Sequence, residues 1–114
     1  MRYELQKKMM DNYPKLYRNR PAILTGDGWF NIIKELSDKL EKMIPETIDN
    51  DFKCFQVSER HGGLNFSMTM ATDEMYKEIE IAEEKCCQTC EKCGNPGKFT
   101  KINGWRCILC ENCY

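Results

Sequence analysis

The chain has 114 residues, 41% of them apolar and 31% charged, with a formal net charge of −1. That length supports a single domain, and the modest apolar share implies a small core for which a metal staple is useful. The near-cancellation of charge excludes a global basic field that would steer the chain onto nucleic acid, and no apolar run is long enough to span a bilayer.

The first twenty residues are locally basic, with Arg2, Lys7, Lys8, Lys15, Arg18 and Arg20 set against Glu4 and Asp11. They lack the apolar core of a signal peptide. Residues 2–12 predict a short charged helix whose apolar positions are Tyr3, Met9 and Met10, ended by Asn12-Tyr13-Pro14 because the residue before a proline is pushed out of the helical region. Residues 15–26 read as an irregular connector. Asp27 is the expected N-cap of an amphipathic helix over 28–44, with Trp29, Ile32, Ile33, Leu36, Leu40, Met43 and Ile44 on one stripe and Pro45 at its end.

Residues 54–60 and 64–70 alternate around Gly62-Gly63, which reads as a two-residue hairpin turn. Pairing His61 with Leu64 also pairs Glu59 with Phe66, Val57 with Met68 and Phe55 with Met70. That register gives one buried and one wet face. Thr72 and Asp73 offer caps for a third helix, 73–87, with Met75, Ile79, Ala82 and Cys86 facing inward. Its outer surface is acidic, carrying Asp73, Glu74, Glu78, Glu80, Glu83 and Glu84 against Lys77. The expected fold is therefore α+β: a body over 1–87 holding three helices and a central antiparallel hairpin, then a zinc-ribbon-like hairpin over 88–114.

Seven of the eight cysteines lie in residues 86–113. Without an export signal, Cys-x-x-Cys pairs point to a reducing compartment and a metal rather than to a disulfide framework. Asn95-Pro96-Gly97 suits a type II turn, and Asn103-Gly104 is a strong type I′ hairpin signal. Folding at Asn103-Gly104 pairs Ile102 with Trp105, Lys101 with Arg106, Thr100 with Cys107 and Phe99 with Ile108. Cys107 then lies mid-strand, while Cys110 comes where a turn can begin. A ligand-bearing knuckle needs a turn to aim both sulfurs inward. The expected ligands of one structural zinc ion are therefore Cys90, Cys93, Cys110 and Cys113, with Cys107 in place of Cys113 as the alternative. Four thiolates close a tetrahedral shell and leave no position for water. Cys54, Cys86 and Cys87 read as ordinary packing thiols.

Several segments together resemble a family of small phage and prophage proteins of unassigned activity. These are Gly28-Trp29-Phe30, the run from Gln56 through His61-Gly62-Gly63 to Phe66, Thr89-Cys90-Glu91-Lys92-Cys93-Gly94-Asn95-Pro96-Gly97, Gly104-Trp105, and Leu109-Cys110-Glu111-Asn112-Cys113. The likeness covers roughly residues 26–113. Three positions depart from the family pattern, which has an aromatic at His61, a basic residue at Asn65 and a histidine as the last ligand, here Cys113. A cysteine-for-histidine exchange keeps a tetrahedral zinc shell. The resemblance implies a phage or prophage origin, a paired zinc-knuckle fold and hence a bacterial host cytosol as the location.

An enzyme is not expected. The single histidine, His61, sits at a hairpin tip, and no nucleophile–base pair, phosphate-cradling glycine loop or open metal position is legible. The expected role is a non-enzymatic binding protein that captures a host protein, for example as an inhibitor of a defence system such as CRISPR, with the acidic helix mimicking phosphates in a basic groove. The alternative is a nucleic-acid-binding regulator acting through Lys98, Lys101, Arg106 and Phe99, where cations and an aromatic share one hairpin.

Overall fold

The computed structural model describes residues 1–46 and 51–114. In chain order it comprises α1 (Tyr3–Asn12), β1 (Ile23–Leu24), a 3₁₀ turn (Asp27–Trp29) and α2 (Phe30–Met43). The antiparallel pair β2 (Cys54–Arg60) and β3 (Gly63–Met68) follows, then α3 (Asp73–Cys86), β4 (Lys98–Ile102) and β5 (Trp105–Leu109). The fold is α+β, with one sheet ordered β1-β2-β3 and a second formed by β4-β5.

Apolar periodicity accounts for the helices. Trp29, Ile33, Leu36, Leu40 and Ile44 are buried along α2, while Met43, at the edge of the stripe, is 38% exposed. Ser37 also lies on the buried face, where its hydroxyl bonds to Tyr17 and to the Ile33 carbonyl oxygen, so a polar pair is accommodated without an orphan. In α3 the four inward positions Met75, Ile79, Ala82 and Cys86 are all buried, and the Thr72 hydroxyl accepts the Met75 N–H at 3.2 Å as N-cap. Along the seam between α2 and α3, Lys39 pairs with Glu78 and Lys85 with Glu35, both at 3.2 Å. Met9 and Met10 anchor α1, whereas Tyr3 faces solvent.

Four local expectations need correction. Asp27 does not cap α2, because the chain first makes a 3₁₀ turn that seats Gly28 and Trp29 against the C-terminal cysteines. The Asp27 carboxylate instead accepts the Arg2 backbone N–H at 2.8 Å and pairs with the Arg2 guanidinium at 2.9 Å. The 15–26 connector contains β1, which pairs in parallel with Val57 and Ser58, and it contributes Leu16, Tyr17 and Ile23 to the core.

The central hairpin turns at His61-Gly62, both at positive φ (54° and 88°), so Arg60 pairs with Gly63 and Val57 with Phe66. The buried face keeps its parity, but an irregularity between Cys54 and Gln56 brings Cys54 inward opposite Met68. Phe55 and Met70, expected to be buried, are about half exposed. Finally, Gly97 is not the left-handed residue of a type II turn. Gly94, at φ 84°, reverses the chain there, while Gly97 is packed against the Cys90 backbone.

The β4-β5 register matches the expected pairing, with Asn103 and Gly104 both at positive φ. Ile108 is fully buried in the main core, so the second sheet is packed onto the body. A smaller cluster of Cys90, Leu109 and Cys110, flanked by Ile102, Cys107 and Cys113, forms beside it.

Candidate metal centre

Two turns carry the cysteines. In the first, the Gly94 N–H donates to the Cys90 carbonyl at 2.9 Å and the Cys90 N–H to Asn95 at 2.7 Å, closing a loop around Cys93. Left-handed Gly94 lets the chain double back, so that Thr89 bridges Pro96. In the second, the Cys113 N–H donates to the Cys110 carbonyl at 3.2 Å as the chain leaves β5. The sheet register places the two turns side by side.

As a result the sulfurs of Cys90, Cys93, Cys110 and Cys113 all lie within 4.8 Å of one another, and Cys93 and Cys110 are 3.5 Å apart. Tetrahedral zinc with bonds of about 2.3 Å sets its sulfurs about 3.8 Å apart, so this donor set has the size and chemistry to hold a metal ion. Cys90 and Cys110 are buried, Cys113 is half-buried and Cys93 is exposed.

The electrostatics favour a bound cation. Burial pushes the Cys90 thiol up, but backbone N–H groups of Cys110, Cys93 and Lys92 converge on it and leave it lowered, to about 6. Cys113 is pushed up to about 12, first by sharing a proton with Cys110 and then with Cys93. Four crowded sulfurs thus resist full ionisation by themselves, as expected of a site that needs a counter-charge.

No protein-family model, curated protein or solved structure matches this chain.

The remaining cysteines stand apart from the four. The Cys107 sulfur approaches the Thr100 carbonyl oxygen at 3.6 Å. Burial pushes Cys54 up to about 12 and raises Cys86 as well, which suits inert packing thiols. Cys87, expected to be at least half-buried, is exposed at the C-terminal end of α3.

The anchoring of the first turn was not legible in the sequence. The Gly28 N–H donates to the Glu91 carbonyl at 2.7 Å, the Gly26 N–H to the Glu91 carboxylate at 2.8 Å, and the Trp29 indole N–H to the Thr89 carbonyl at 2.9 Å. Glu91 is half-buried, and that burial raises its carboxyl. The Glu91 N–H in turn donates to Ile108 of β5 at 3.0 Å. Glycines at 26, 28 and 94 were the available signal, but their partners are some sixty residues away in sequence.

The other candidate residues are dispersed. His61 is exposed in its turn, and beside it Gly62 packs against Phe99 and the backbone of Arg106 and Cys107. Phe99, Lys101 and Arg106 share one face of the second sheet, with the Arg106 guanidinium 5.9 Å from the Phe99 ring centre. Lys98 is exposed on the opposite face. On α3, Glu78 is held by Lys39 and Glu83 is half-buried, leaving Asp73, Glu74, Glu80 and Glu84 as the exposed acids.

Proposed function

We propose that the chain is a non-enzymatic, zinc-stabilised binding protein of phage or prophage type that captures a host protein, as an inhibitor of a bacterial defence system would. The convergence of four sulfurs supports the metal-stabilised part of this reading. A soft, all-thiolate set favours zinc over magnesium or calcium, and a four-sulfur shell leaves no position for a substrate or an activated water. When bound, the ion supplies cross-linking of the two turns. Assignment to phage or prophage rests on the motif resemblance across residues 26–113.

Two features favour a protein partner. The Arg106 guanidinium lies over Phe99, so one cation of the basic hairpin is engaged within the chain. The exposed acids of α3 form a negative surface interrupted by Tyr76 and Ile81, 50% and 43% exposed, which suits a protein better than a phosphate backbone. The nucleic-acid alternative draws on Lys98 and Lys101, which remain exposed near Phe99.

The deciding experiment passes a bacterial lysate, in parallel with and without nuclease treatment, over immobilised zinc-loaded protein. Stoichiometric retention of one host protein is expected. Retention of nucleic acid alone, lost as salt rises and in a Lys98→Ala/Lys101→Ala variant, would transfer the function to the alternative.

A further inference from the structure

Strand β4 leaves one edge of the second sheet open. With a two-residue loop at Asn103-Gly104, the pairs Ile102–Trp105, Thr100–Cys107 and Lys98–Leu109 exchange hydrogen bonds, and the residues between them turn their backbone groups outward. On β5 the outward Ile108 carbonyl is already used, accepting from Glu91 at 3.0 Å. On β4 the outward groups belong to Phe99 and Lys101, and among the described residues neither has a backbone partner beyond this hairpin. The edge opens onto a cleft of about 460 Å³ bordered by Lys98, Phe99, Lys101, Glu111 and Tyr114. Phe99 is 52% and Tyr114 74% exposed.

We propose that this edge is a docking strand for an extended acidic segment of a partner protein, which adds beside β4 through backbone bonds at Phe99 and Lys101. The proposal rests on the reading of the chain as a protein-binding module and gives it a second contact surface, separate from the acidic face of α3. Alternating donors and acceptors along a strand edge match a second polypeptide strand, and a sugar–phosphate backbone offers no such alternation. Lys98 and Lys101 lie on opposite faces of β4 and outnumber the one acidic side chain of the cleft, Glu111, so acidic side chains on both faces of the incoming strand find a partner. The same lysines oppose a second copy of this chain, because pairing β4 with itself would gather both lysines of each strand along one short edge.

The test uses the zinc-loaded full chain and, as probes, a fluorescein-labelled peptide of alternating glutamate and valine and its lysine–valine counterpart. We expect the acidic peptide to bind and to slow amide hydrogen exchange at Phe99 and Lys101. A Lys98→Glu/Lys101→Glu variant, altered only at exposed positions, should retain its zinc and bind that peptide about tenfold or more weakly. Binding without protection of those two amides, equal binding of both peptides, or displacement of the acidic peptide by oligothymidylate would overturn the proposal. A host protein retained equally by the wild type and the double variant would refute the docking edge while leaving the binding reading in place. Retention of nucleic acid alone by the wild type would remove both.

Discussion

A Cβ placed on Gly28 would lie 2.1 Å from the Cys90 carbonyl oxygen and 2.6 Å from both the Glu91 carbonyl oxygen and the Gly94 nitrogen. The contact is backbone against backbone, so no side-chain rotation relieves it. We expect Gly28→Ala to lower stability by about 3 kcal/mol in urea unfolding of zinc-loaded protein, the cost of overpacking a site that cannot relax. Unchanged stability would mean that the first cysteine turn is not seated on the α2 entry. The convergence of Cys90, Cys93, Cys110 and Cys113 was legible because a Cys-x-x-Cys turn is a local device whose spacing aims two sulfurs to one side. Gly28 and Glu91 were not, since their roles exist only once distant segments meet.

Among the elements, the two hairpins show what local chemistry can and cannot decide. Asn103-Gly104 offers a single loop with two residues suited to positive φ, so the β4-β5 register follows from the sequence. The central hairpin offers His61-Gly62 and Gly62-Gly63. His61-Gly62 prevails: histidine tolerates the left-handed region, the Glu59 carboxylate accepts the Gly62 N–H at 2.6 Å, and Gly62 fits closely against Phe99. The observed register and bulge expose Phe55 and bury Phe66. Phe55→Ser should therefore change stability by less than about 0.5 kcal/mol, and Phe66→Ala should cost about 3–5 kcal/mol, both read by chemical denaturation. Similar large losses at both positions would restore the register first expected from Gly62-Gly63. Strand β1 escaped sequence reading because two residues cannot display alternation, whereas the long stripes of α2 and α3 announce their buried faces.

At the scale of the whole molecule, the cysteine turns are tied into the body. The Trp29 indole bonds to Thr89, Ile108 of β5 is part of the main core, and Gly62 of the central hairpin rests on β5. Loss of a metal should therefore be felt beyond residues 88–114. In a Trp105→Phe background, where Trp29 is the remaining tryptophan, chelation should red-shift the emission and lower the unfolding midpoint; an unmoved Trp29 signal would show a body indifferent to the ion.

The most direct measurement is elemental analysis and native mass spectrometry of freshly purified, tag-free protein, with Cys113→Ser and Cys107→Ser prepared alongside. We expect one zinc ion per chain in the wild type, retained in Cys107→Ser and lost or strongly weakened in Cys113→Ser. A metal-free wild type, or an ion that survives Cys113→Ser and disappears in Cys107→Ser, would contradict the four-sulfur centre on which the proposed role depends.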